Sequence, residues 1–180
     1  MKIEREIAYF AEHGPQHTED VIETVKKRLE KGDVTTVVVA STSGETGVTF
    51  SEKLEPSAHV IVVSHKEMQS MYKQQITELG GKFVEKTHLP LHTEGKDEVR
   101  ETFRMFGQGF KVAVEVILIA ADKKEVNLYE DIIGVGGTGK GSDTAIIARA
   151  TTTEEIFTKD ESKKLEIREI LTMPLKKKWW

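Results

Sequence analysis

The chain has 180 residues, no cysteine, 31% charged residues of mixed sign and a net charge of −4. That length suits one domain with a closed core, 1–180, and the charge balance argues against a general nucleic-acid binder, which needs a basic excess to displace counterions. Without cysteine, disulfides, thiolate metal sites, iron–sulfur clusters and thiol nucleophiles are excluded; no apolar run reaches membrane-spanning length and MKIEREIAYF (1–10) is not a signal peptide, so a cytoplasmic protein without a membrane or nucleic-acid partner is expected.

Residues 7–10, IAYF, form a short apolar cluster, a candidate edge strand, and Gly14-Pro15 breaks the chain after it. Thr18 suits an N-cap, with Glu19 and Asp20 at the positive helix end. Val21, Ile22, Val25 and Leu29 then share one helical face, and Gly32 suits the position after the helix. VTTVVVA (34–40) is β-branched and almost continuously apolar, as a strand buried on both faces requires. STSGETG (41–47) leads into a helical pattern through Leu54, stopped by Pro56. HVIVVS (59–64) reads as a second buried strand, 66–79 as a helix ended by Gly80-Gly81, and KFVEKT (82–87) as a weaker third strand.

After a loop at 88–96, one long helix is expected over 97–122, with Val99, Phe103, Phe106, Phe110, Val114, Ile117 and Leu118 three and four apart. IIGVGG (132–137) reads as a fourth strand, TAIIARA (144–150) as β-rich, the polar 151–163 as a mobile loop and 165–171 as a candidate last strand. Strands alternating with helices give an α/β layered domain with a largely parallel sheet.

GVGGTGKGSD (134–143) nearly satisfies two phosphate-loop patterns. A dinucleotide fingerprint needs a helix after its glycines, but DTAIIARATTT (143–153) favours a strand. A nucleoside-triphosphate loop needs a hydroxyl residue after its lysine, and that position is Gly141. A third reading is a hairpin between two strands, whose loose backbone converges N–H groups on an anion, with Lys140 adding charge and Thr138 and Ser142 adding hydroxyls; a ligand-free glycine hairpin would look the same.

The other turn, 41–47, sits between a buried parallel strand and a helix, the place where open α/β sheets bind ligands. Its hydroxyls crowd a helix N-terminus whose free N–H groups favour phosphate. N-capping alone would use only one of them.

These two segments, VVVASTSGETGVTFSEKLEPSAHVIVVSH (37–65) and IIGVGGTGKGSDTAIIARA (132–150), together resemble the C-terminal domain of pyruvate kinase. There, a strand, a Ser/Thr-Gly turn and a helix hold one phosphate of an allosteric sugar bisphosphate, and a later glycine hairpin closes over it. ASTSGETG (40–47), FGQGFKVAVE (106–115) and VGGTGKGSDTA (135–145) are still more similar to a stand-alone archaeal and bacterial family that carries only this domain. The resemblance implies a three-layer α/β/α sandwich with a mostly parallel five-stranded sheet, its last strand antiparallel. It also implies flavin mononucleotide (FMN) as ligand, without an established reaction. The barrel and active-site machinery of a whole pyruvate kinase are missing, so kinase activity is not carried over. The stretch between His65 and Gly80 is short for the family, so a lid from there is not carried over either.

On that resemblance, Ser41, Thr42, Ser43, Gly44, Glu45, Thr46 and Gly47 take the phosphate. Gly136, Gly137, Thr138, Gly139, Lys140, Gly141, Asp143 and Thr144 cover the ribityl or ring side. Ser64-His65 and Thr87-His88 follow the second and third strands and belong at the same edge, where a neutral histidine can hydrogen-bond a flavin ring or move a proton. Gln108 lies between Gly107 and Gly109, either against a ligand or in a tight helix contact.

His88-x-x-x-His92 has metal spacing only on a helix, which Pro90 opposes, and Pro15 raises the same objection for His13 and His17; no metal is expected. KKKWW (176–180) reads as a tail whose tryptophans suit a subunit contact, hence a homo-oligomer as one expectation. Three functions stay open: binding of a phosphorylated small molecule, FMN first; a flavin-dependent oxidoreductase; and a domain sensing a sugar phosphate.

Overall fold

In the computed structural model, which describes residues 1–180, the alternation of side chains along the strands sets the layers. The elements in order are β1 (Ala8–Phe10), α1 (Thr18–Leu29), β2 (Thr36–Ala40), α2 (Glu45–Leu54), β3 (His59–Val63) and α3 (Ser70–Glu78). Then come β4 (Lys82–Val84), α4 (Asp97–Arg104), α5 (Gln108–Asp122), β5 (Asp131–Gly136), β6 (Thr144–Arg149) and β7 (Ile167–Pro174). They form one seven-stranded sheet in the order β1-β7-β6-β5-β2-β3-β4. Every pairing is parallel except the two made by β6.

Val37 and Val39 of β2, Val60 and Val62 of β3 and Ile133 and Val135 of β5 face one side, where they pack with Val21, Ile22 and Val25 of α1, Phe50 and Leu54 of α2 and Ile76 of α3. Val38, Ile61 and Val63, Ile132, and Ile146 and Ala148 face the other side and meet α5. Val99 and Phe103 of α4 pack at the margin of that second core. The result is a three-layer α/β/α arrangement. Each fully buried large aliphatic or aromatic side chain contributes about 1.5–3 kcal/mol of burial, which orders both layers on the sheet.

Four expectations need correction. The sheet has seven strands rather than five: β7 and β1 extend it past the reversed β6, and β7 runs parallel to the rest. The helix expected over 97–122 is two, because Gly107 at φ 110, ψ 159 leaves helical space between α4 and α5. The helix expected from residue 66 begins only at Ser70, since 64–69 is tied to the loops beside it. Residues 151–163 are fastened rather than loose: Thr153 donates from N–H and hydroxyl to the Asp122 carboxylate, Thr151 Oγ1 donates to the Lys163 carbonyl, and Ile156 enters the core. No helix is long and apolar enough to cross a membrane.

Candidate anion-binding edge

Because β2 and β5 are hydrogen-bonded parallel neighbours, paired at Val39 and Val135, the loops that leave their C-terminal ends open on the same edge. Adjacent strands lie about 4.8 Å apart, so the 41–47 turn and the 137–143 hairpin start side by side. The chain enters a strand, β6, directly after Asp143.

The 41–47 turn is held from below and left open at its amides. Ser41 N–H donates to the Val63 carbonyl at 3.0 Å, and the Thr42 carbonyl accepts from Ser64 Oγ at 3.1 Å. The Ser43 carbonyl accepts from Gln69 N–H, and Ser43 Oγ accepts from Glu45 N–H at 3.2 Å. The N–H groups of Thr42, Ser43, Gly44, Thr46 and Gly47 find no acceptor in the chain. Gly44, the residue before α2, has φ 101, a left-handed conformation that L side chains resist. Gly47 serves packing: a Cβ there would stand 2.3 Å from Val62 Cγ1, so its absence lets α2 close onto β3. Thr42 and Glu45 are exposed, and Thr46 is half-buried.

The hairpin is built differently from its glycine spacing. Gly134 and Gly136 do not cradle an anion; a Cβ on Gly136 would lie 2.1 Å from the Gly109 carbonyl oxygen and one on Gly134 2.4 Å from that of Ala113. Both are bare because α5 lies directly on β5. At the base, Gly137 packs on Gly141, and Gly141 on Pro15. Ser142 N–H donates to Thr18 Oγ1, which itself donates to the Pro15 carbonyl, so the Thr18 side chain pins the hairpin rather than capping α1. Asp143 is fully buried; it accepts from Gly14 N–H at 3.1 Å and from Thr144 Oγ1 at 2.8 Å, and it lies against the start of α5. Its carboxylate lies against Gly109 in the first turn of α5, a placement the positive helix end favours, and Gln108 N–H donates to the Lys178 carbonyl. Thr138 is nearly buried, while Gly139 and Lys140 form an exposed tip with open space around Gly139.

Three buried hydroxyls lack a partner: Ser51, Thr87 and Ser142. Ser51 is enclosed beside Gly81, but the other two belong to loops of this edge. Thr87 N–H donates to the Ser64 carbonyl, so hydrogen bonds join Thr42, Ser64 and Thr87 across the three loops. His65 is exposed beside it. His88 is drawn elsewhere: its Nε2 lies 2.7 Å from Asp122 Oδ2, at the far end of α5 from the hairpin, about 20 Å along a 15-residue helix. Gln108 is held in place by Arg104, whose Nε donates to its Oε1 at 2.9 Å.

Three features escaped sequence reasoning. Tyr72 of α3 packs against Gly44. Lys177, in the tail that crosses the start of α5, donates from Nζ to the Pro174 carbonyl; burial pushes its ammonium below the ordinary 10.5, with Asp143 partly opposing. Lys111 and Glu115, each 3% exposed, form a buried pair at 2.8 Å on α5. Lys111 Nζ also lies 3.1 Å from His92 Nε2, and Leu91 N–H donates to Glu115 Oε1. A lysine and a glutamate four apart carry no mark of burial in the sequence; the packing of 89–92 over α5 helps bury them.

A cleft of about 360 Å³ opens at the opposite edge of the sheet, among Thr36, Tyr129, Asp131, Arg149 and Arg168, where nearly every charge is already paired.

No family model matches the chain. Among solved structures it is similar to O-ureido-L-serine synthase, with 20% identity over 62% of this chain and 40% of that one and a TM-score of 0.33. A likeness of that size carries no argument about fold or activity.

Proposed function

We propose that the chain binds a phosphorylated small molecule, FMN first, at the edge formed by the 41–47 turn and the 137–143 hairpin. The observation that carries this reading is the turn itself: five N–H groups without an acceptor at the start of a ten-residue helix, beside a second glycine loop on the neighbouring strand. A helix start with free amides attracts phosphate. The other helix start at this edge with a comparable opening, that of α5, already faces the Asp143 carboxylate. The phosphate therefore belongs at α2.

The residues present fit the group. Thr87 Oγ1 and Ser142 Oγ are orphaned hydroxyls in the flanking loops, and the hairpin tip has room above Gly139 and one exposed charge at Lys140. FMN, when bound, would supply hydride or electron transfer; the protein residues would bind and orient it. The family resemblance in the two loops points to the same ligand.

Titration of purified chain with FMN, followed by flavin fluorescence, tests the reading. Thr42→Glu sets a carboxylate on the exposed rim of the turn without touching the core. It is expected to weaken FMN more than about tenfold while the melting temperature holds. A wild-type chain that does not take up FMN, or a Thr42→Glu variant that binds it as well as wild type, overturns the assignment.

A further inference from the structure

We propose that Tyr72 forms the aromatic wall of this site and makes it select phosphate esters that carry a planar ring over purely aliphatic ones. The inference rests on the placement of the phosphate at the 41–47 turn.

Gly44 stands at the start of α2, and a methyl built on it would lie 2.7 Å from Tyr72 Cβ and 3.5 Å from Tyr72 Cγ. The ring is therefore rooted beside the free amides. Tyr72 is half-buried, so part of the residue stays open to solvent. The segment that carries it is rigidly seated on the edge. Gln69 N–H donates to the Ser43 carbonyl at 2.9 Å, Met68 N–H donates to Glu85 Oε2 at 2.7 Å, and Lys73 Nζ donates to Glu85 Oε1 at 3.0 Å. Glu85 is held as a carboxylate below its ordinary range by those same bonds, the one from Met68 foremost.

None of the loops that leave β2, β3, β4 and β5 at this edge, 41–44, 64–69, 85–89 and 137–143, contains phenylalanine, tyrosine or tryptophan, while the tail with Trp179 and Trp180 crosses the start of α5. His65 is exposed without a partner and His88 is engaged by Asp122. A planar group attached to a phosphate at the turn thus has Tyr72 as the aromatic face rooted beside it. An aromatic contact of this kind adds roughly tenfold in affinity, and a phosphate ester of a linear or cyclic polyol gains none of it.

Calorimetric titrations of wild type, Tyr72→Phe and Tyr72→Ala with FMN, ribose 5-phosphate and inorganic phosphate test the proposal. Wild type should bind FMN at least about tenfold more tightly than ribose 5-phosphate. Tyr72→Ala should lose about tenfold for FMN and change less than about twofold for inorganic phosphate, and Tyr72→Phe should keep FMN within about threefold. Thermal melts of all three identify a variant that has merely unfolded, in which case the wild-type preference and the Tyr72→Phe result decide. Equal wild-type affinity for FMN and ribose 5-phosphate overturns the proposal, as does a folded Tyr72→Ala that binds FMN undiminished or loses FMN and phosphate alike. A wild-type chain that binds none of the three ligands overturns the phosphate site itself and this inference with it.

Discussion

Gly44 shows how one missing Cβ couples backbone and site. Its φ of 101 and the Tyr72 side chain 2.7 Å from a hypothetical methyl mean that Gly44→Ala strains the turn and displaces α3. The variant should lose about 1–3 kcal/mol in urea unfolding without ligand. The pair Lys111–Glu115 illustrates the opposite case, in which two charges are buried together. Glu115→Leu leaves the lysine buried and strips Leu91 N–H of its acceptor, and should cost about 3–5 kcal/mol; the double variant Lys111→Met/Glu115→Leu should recover a large part of it. His92 beside them titrates to order. Burial, then the Lys111 charge, holds its imidazole below the ordinary 6.5, with Arg100 and Arg104 acting in the same direction and Glu115 against it. The native state therefore resists protonating it. Its contribution is intact above pH 6.5 and declines as pH falls through 6.5 towards the lower folded value. Unfolding free energies measured between pH 7.5 and about 5 should show this decline, and His92→Gln should flatten it.

Among the elements, the parallel strands were plain because a strand buried on both faces must be continuously apolar: VVVA and VIVV can hardly be anything else. The 41–47 turn was equally legible as a turn, since a Ser/Thr-Gly cluster between a buried strand and a helical pattern breaks both periodicities. The hairpin was legible as a hairpin, but the roles of its glycines were not. Gly134 and Gly136 matched a phosphate pattern, whereas they are set by the distance between α5 and β5, a property of packing that spacing does not encode. Gly136→Ala pushes a methyl into the Gly109 carbonyl and should destabilise by about 1–3 kcal/mol. The break between α4 and α5 was hidden for a related reason. The apolar residues keep their three-and-four spacing across Gly107, so periodicity alone gives one helix. Tyr72 was invisible because α3 meets α2 only in three dimensions.

Over the whole molecule, the two edges of the sheet are chemically unlike. The strands β1 to β5 and β7 all run the same way, and α1, α2, α3 and α5 begin at the edge carrying 41–47 and 137–143, so their partial positive ends gather there. The opposite edge holds a cleft, but its arginines are spent on neighbouring carboxylates. A ligand that binds only the folded chain must raise its melting temperature. FMN at a hundredfold excess over its dissociation constant adds about 2.7 kcal/mol, a shift of about 5–11 °C for a chain of this size.

The bare tip at Gly139-Lys140 is also where a protease can enter. Trypsin should nick the native chain first after Lys140, because no other lysine stands on so thin a bridge of glycine. The two fragments would stay clasped, since β6 pairs with β5 and β7 pairs with β1 across the cut. A guest seated beneath that bridge would shield it, and the nicked fraction would then report occupancy without any label.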